Sequence, residues 1–212
     1  MIRNLLFDMG GVIFDQDTQE AFRRFEAIGI DTEKYMGKVG QKDFFLELEN
    51  GTIDDRQFLQ RLSSTIGRAI SWQEAQECWL GFFKGVPAKR LRDLEHLRAL
   101  GYRLFLLSNT NPFIMKFTRS ETFCQEGRPI TDFFDQCFCS YEMKVCKPEA
   151  EIFHKALEMG HLTADECLFV DDSAKNTTAA STLGIHGLAI ESNEDWWDKL
   201  LDKINTINAK ED

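Results

Sequence analysis

The stretch Ile2-Arg3-Asn4-Leu5-Leu6-Phe7-Asp8-Met9-Gly10-Gly11-Val12 decides the fold. A short apolar run that empties into a glycine-rich turn reads as a buried strand, and the carboxylate of Asp8 falls at its carboxyl end. Two further runs end in the same way: Arg103-Leu104-Phe105-Leu106-Leu107 leads into Ser108-Asn109, and Cys167-Leu168-Phe169-Val170 leads into Asp171-Asp172. Lys147, followed by Pro148, lies between them in the chain. In an open parallel sheet the carboxyl ends of neighbouring strands share one crevice, so three carboxylates, a hydroxyl and an ammonium are predicted to meet. Carboxylates brought together need a cation.

Outward from these strand ends the pattern alternates. Pro87 suits the first turn of a helix running to Leu100 and closed by Gly101, and a strand follows from Tyr102. The theme repeats with a helix from Pro148 to Met159, the strand from Cys167, a helix from about Ala174 to Leu183, a strand from His186 to Ile190, and a last helix from about Glu194 to Ile207. Such alternation predicts an α/β protein with a doubly wound parallel sheet. The region from Asp15 to Gly85 reads differently, as helices without a convincing strand, with Thr52-x-x-Asp55 and Ser71-x-x-Glu74 placed as capping boxes. Its aromatics (Phe44, Phe45, Phe58, Trp72, Trp79, Phe82, Phe83) recur near helical spacing, and most are expected to pack a small helical core, with the lining of a substrate pocket as the alternative for a few. The predicted organisation is a core of residues 1–14 and 86–212 with a helical cap, residues 15–85, inserted after the first strand. Residues from Ala209 onward are expected to fray.

The bulk properties exclude several classes. The 212 residues are 43% hydrophobic and 28% charged, as in an ordinary globular protein. A formal charge of −10 disfavours nucleic acid and anionic membrane surfaces, so a small anionic substrate needs local cations. Six cysteines without C-x-x-C spacing are expected to be reduced thiols in a cytoplasmic protein. Cys137 and Cys139 alternate around Phe138 as on two faces of a strand, and the four scattered histidines lack zinc-site spacing. No apolar stretch approaches a membrane span.

Taken singly, each polar residue has a bland reading. An aspartate after a strand commonly forms a turn, paired acids often cap a helix, and a lone lysine is usually exposed. Together the three carboxylates would repel one another strongly, and a hard divalent ion with oxygen ligands, Mg²⁺ in so small a loop, is the usual remedy.

The ordered set FDMGGV around Asp8, LLSNTN around Ser108, CKPEAEIF around Lys147 and LFVDDSAKN around Asp171 and Asp172 resembles the haloacid dehalogenase-like hydrolases. The insertion resembles that family's C1-type cap, and the details are most similar to bacterial phosphatases of α-glucose 1-phosphate. The resemblance implies a Rossmann-like core and a phosphoric monoester hydrolase for a small phosphometabolite, a sugar phosphate such as a hexose 1-phosphate. It makes Asp8 the nucleophile that becomes an aspartyl phosphate, with Ser108 and Asn109 holding phosphoryl oxygens. Lys147 would neutralise charge on the nucleophile and the transferring group. Mg²⁺ would be bound by Asp8, the Gly10 carbonyl and Asp172, with Asp171 close or water-bridged and Asn176 orienting this shell. Replacing Lys147 is then expected to cost rate and little stability.

Gly10 departs from most of the family's phosphatases, which carry an acid/base aspartate there. General acid–base catalysis contributes roughly 10²–10⁴-fold, so the departure implies a slow enzyme, a good leaving group or a substitute acid, with Asp15 and Asp17 the nearest candidates. Three readings compete: a metal-independent dehalogenase, for which the Asp171-Asp172 pair would be superfluous; a phosphonate hydrolase with a Schiff-base lysine among Lys34, Lys38 and Lys42; and a catalytically weak relative that binds a phosphometabolite.

Overall fold

A computed structural model describes residues 1–37 and 40–209. Strand β1 (Asn4–Phe7) is followed by β2 (Asp15–Gln16), helices α1 (Thr18–Ala27) and α2 (Thr32–Tyr35), strands β3 (Met36–Gly37) and β4 (Gly40–Gln41), and helices α3 (Asp43–Glu49), α4 (Asp55–Ile66) and α5 (Trp72–Trp79). Strand β5 (Phe83–Gly85) then pairs antiparallel with β2. The remainder runs α6 (Ala88–Ala99), β6 (Arg103–Ser108), α7 (Pro112–Thr118), β7 (Gln136–Cys139), α8 (Ser140–Met143), α9 (Ala150–Gly160), β8 (Cys167–Asp171), α10 (Ala174–Thr182), β9 (His186–Ala189) and α11 (Trp197–Asn208).

Five strands form one parallel sheet in the order β7-β6-β1-β8-β9, with β1 at its centre. The alternation of side chains along each strand sorts the apolar residues onto two faces. Leu5, Phe7, Leu104, Leu106, Leu168 and Val170 join a cluster with Leu94 of α6 and Leu200 of α11. Leu6, Phe105, Leu107 and Phe169 face Ile152 and Phe153 of α9 and Ala180 of α10. Both faces are thus covered, which is why these strands read as continuous apolar runs. The chain order reverses direction at β1, whose neighbours are β6 and β8, so Asp8 sits at a topological switch point.

The segment between β1 and α6 is mainly helical but carries four short strands, contrary to the expectation that none interrupts it. Strands of two or three residues are too short to show a period of two, so sequence alternation could not reveal them. Ser71 and Glu74 form the expected capping box. The other box uses Asp54 and Gln57 instead of Thr52 and Asp55, because the chain enters α4 two residues later than expected. Phe44, Phe45, Phe58 and Trp79 are buried as expected, with the rings of Phe45 and Phe58 5.1 Å apart near a right angle. Pro87 caps α6 and does not enter it, and α7 was not anticipated. Ala209 is the C-cap of α11; residues 210–212 lie outside the described residues. Among the described residues no helix is long and apolar enough to cross a membrane. All six cysteines are free thiols, and burial pushes five of them above the usual thiol range.

Candidate active site

The sheet delivers the predicted residues to one place. Asp8 follows β1, Ser108 ends β6, Asp171 ends β8, and Lys147 comes from the loop between α8 and α9. The Lys147 ammonium donates to Asp8 Oδ1 at 2.7 Å, to Asp171 Oδ2 at 2.7 Å and to the Leu107 carbonyl at 2.8 Å. All three ammonium hydrogens therefore have acceptors, and Lys147 is buried, not exposed. Burial alone would lower its pKa, but Asp171 and Asp8 outweigh that and hold it above the ordinary lysine value. At Asp8 the balance runs the other way. Burial raises its pKa against the pull of Lys147, and Asp171 and Asp172 raise it further.

Asp171 is wholly buried and committed to the protein. Besides Lys147 it accepts from the Ser173 N–H at 2.7 Å and from Asn176 Nδ2, which lies 3.1 Å from both carboxylate oxygens. Asp172 is only partly buried and bonds the Ser192 hydroxyl; burial and Asp171 raise its pKa, partly offset by that hydrogen bond. Gly11 has φ +75°, and a Cβ there would stand 2.5 Å from Asp172 Oδ2, so only glycine lets the turn pass so close. Oxygen atoms of Asp8, Asp171 and Asp172 lie within 4.8 Å of one another. Three carboxylates face one ammonium, and that surplus of negative charge fits a divalent cation.

The Asn109 side chain is taken up by Lys147: its Nδ2 donates to the Lys147 carbonyl and its Oδ1 accepts the Lys147 N–H. What Asn109 can offer a phosphoryl oxygen is its backbone N–H. The candidate substitute acids need correction: Asp15 and Asp17 are not free, since Asp15 pairs with Arg90 at 2.9 Å and Asp17 accepts the Glu20 N–H as the cap of α1. Of the candidate Schiff-base lysines, Lys34 bonds the Tyr35 hydroxyl and Lys42 the Glu33 carbonyl, outside the cavity; Lys38 lies outside the described residues.

Beside Asp8 is a small cavity of about 110 Å³. Core residues Gly10, Ser108 and Thr110 line it together with Gln16, Gln41, Glu49 and Trp79 from the segment before α6. Three of its polar atoms, Gln41 Oε1, Trp79 Nε1 and Thr110 Oγ1, are buried without a hydrogen-bond partner among the described residues. Buried polar atoms are nearly always paired, so three orphans around one cavity mark a place that a polar ligand completes. Sequence reasoning had no sign of Gln41 or Thr110, and it placed Trp79 among aromatics expected mostly to pack, a few of them with a pocket-lining alternative.

A family model of the haloacid dehalogenase-like hydrolases matches residues 2–184. The chain belongs to the haloacid dehalogenase-like hydrolases. Among its relatives in this family, a D-ribitol-5-phosphate phosphatase from Bacteroides thetaiotaomicron is 36% identical over 207 residues, covering 97% of this chain and all of the relative. A predicted family hydrolase from Porphyromonas gingivalis superposes with a TM-score of 0.90 at 35% identity, covering 96% of this chain and 98% of that one. A family enzyme from B. thetaiotaomicron, crystallised with magnesium and inorganic phosphate, gives 0.87 at 32% identity over 94% of this chain and 99% of its own.

Proposed function

We propose that this protein is a Mg²⁺-dependent phosphatase of a small polyol or sugar phosphate, working through an aspartyl phosphate on Asp8, with residues 15–85 as the cap over the core formed by residues 1–14 and 86–212. The observation that carries this is the Lys147 ammonium held between Asp8 and Asp171 while Asp172, partly exposed, is left outside that pairing. Lys147 favours the ionised form of Asp8 against the effect of burial and screens the charge of the incoming phosphoryl group. Asp8, Asp172 and the Gly10 carbonyl would hold the cation; Asp171 contributes charge while its oxygens position Lys147. When bound, Mg²⁺ supplies charge neutralisation between nucleophile and phosphoryl oxygens. The magnesium and phosphate of the B. thetaiotaomicron structure support the same reading.

The cavity supports a hydroxylated leaving group. A site with unpaired buried donors and acceptors selects a substrate that satisfies them and rejects one that leaves them bare. Gln41 Oε1, Trp79 Nε1 and Thr110 Oγ1 suit hydroxyls, and the small volume suits a short chain. The similarity to a pentitol phosphate phosphatase agrees with this. The expectation of a hexose 1-phosphate rested on the resemblance to α-glucose 1-phosphate phosphatases and on the better leaving group that Gly10 would require, and nothing in the cavity favours a ring. The test is a panel of phosphate esters assayed with Mg²⁺ and with chelator, beside Asp8→Asn. Chelator-insensitive turnover or an active Asp8→Asn protein would defeat the proposal.

A further inference from the structure

Gly10 leaves the nucleophile without a neighbouring acid, and its place is filled. A Cβ built on Gly10 would collide with the Gln16 side-chain oxygen. Gln16 is an amide and cannot deliver a proton at working pH. One carboxyl other than the charge cluster lines the same cavity as Asp8, and it belongs to Glu49, the last residue of α3.

Glu49 is placed by unusually firm anchoring of its backbone. Phe44, Phe45 and Leu48 bury one face of the helix. The Ser140 hydroxyl donates to the Glu49 carbonyl at 2.6 Å and accepts the Thr110 N–H at 2.9 Å, tying the end of α3 to the loop that follows Ser108. Lys144 donates to the Gly51 carbonyl, and Gly51, at φ +66°, packs so closely on the Tyr141 carbonyl that any side chain there would overlap it. Among the described residues the Glu49 carboxyl itself has no hydrogen-bond or ion-pair partner. A carboxyl so fixed in backbone and free in side chain suits a ligand.

Resting on the phosphatase reading above, we propose that Glu49 is the proton donor to the leaving oxygen, standing in for the side chain that Gly10 lacks. As Asp8 attacks phosphorus and the ester P–O bond breaks, the Glu49 proton passes to the departing oxygen, giving the alcohol, the aspartyl phosphate and a Glu49 carboxylate. That carboxylate then takes a proton from the water that attacks the aspartyl phosphate; phosphate leaves, and Asp8 and protonated Glu49 are restored. The environment agrees with this cycle: burial raises the Glu49 pKa to about 8, with Asp8 adding to the rise, so the proton is present at neutral pH. The titratable groups that face Glu49 are Asp8 from the end of β1 and the Cys146 thiol before α9, itself pushed up by burial.

The test compares two leaving groups in Glu49→Gln. An alkyl ester such as D-ribitol 5-phosphate needs protonation, whereas para-nitrophenyl phosphate does not. The expected result is a fall in kcat/KM of about 10²–10⁴-fold for the alkyl ester and none for the aryl ester, the range of general acid catalysis. Equal losses on both esters, or none on either, would overturn the donor role. The unaltered protein gives a measurement that does not depend on a variant folding: kcat/KM for the alkyl ester should decline at alkaline pH as Glu49 ionises, while the aryl ester shows no such limb. A shared limb, or its absence from both, overturns the proposal. Hydrolysis of neither ester by the unaltered protein would remove the phosphatase reading itself, which is a distinct outcome.

Discussion

Asn109 holds the backbone of Lys147 from both sides, donating to its carbonyl at 2.9 Å and accepting its N–H at 2.7 Å. An amide side chain is needed for this, since it alone presents one donor and one acceptor on the same planar head. The clamp fixes where the ammonium can stand relative to Asp8, and under the proposed mechanism Asn109 acts by positioning.

Asn109→Ala is therefore expected to lower kcat by about 10²-fold, the cost of misplacing a catalytic group by an ångström or so, with KM changed far less. Steady-state kinetics on the preferred ester check this. A loss confined to KM would show instead that Asn109 meets the substrate through its side chain.

Lys147→Ala is expected to abolish most activity and also to destabilise the fold, contrary to what sequence suggested. Lys147 and Asp171 are both buried, and removing one partner of a buried pair typically costs about 3–5 kcal/mol because the other charge is left uncompensated. Urea unfolding of the variant at neutral pH measures this. Unchanged stability would mean that Asp171 takes up a proton at little cost.

The contrast between Lys147 and Glu49 shows what sequence could reveal. The strand ends were legible because an apolar run broken by a polar residue and a turn leaves a local mark, and the four motif segments kept their order. Lys147 was found by its motif, but its burial was not, since that depends on Leu107, Asp8 and Asp171 from three separate strands closing around it. Glu49 carried a faint mark that went unread: it lies four residues after Phe45, on a stripe where a helix facing the core should be apolar. Gln41 and Thr110 carried none, and nothing singled out Trp79 from the other aromatics, because an unpaired buried atom is a property of the assembled cavity.

The two acids at the end of β8 should separate cleanly. Asp172→Ala is expected to raise the Mg²⁺ concentration needed for half-maximal activity while leaving thermal stability nearly unchanged, because Asp172 is partly exposed and its recorded partner is Ser192. Asp171→Ala is expected to unfold more easily, since it strips Lys147, Asn176 and the Ser173 N–H of their common acceptor. Gly11→Ala should resemble Asp172→Ala, with added strain from the positive φ. Metal titration and melting curves of the three proteins decide the ranking, and a larger metal defect in Asp171→Ala would reverse it.

Glu49 also makes a prediction about stability that needs no substrate. Its pKa is near the ordinary 4.5 in the unfolded chain and about 8 in the folded one. Between these values the folded state binds more protons than the unfolded state, so stability falls as pH rises. The Glu49 contribution is thus fully present below about pH 4.5 and lost as pH climbs through about 8. Asp8, raised in the same direction, adds to the slope. Glu49→Gln removes the Glu49 titration and leaves those of Asp8 and Asp172, so melting curves taken without metal should show the variant gaining on the unaltered protein as pH increases. Mg²⁺ should weaken Asp8's part by favouring its ionised form and leave the difference between the two proteins in place. Parallel curves for the two proteins would mean that the Glu49 carboxyl is solvated as an ordinary surface acid, and the cavity would then have no proton to offer the leaving oxygen.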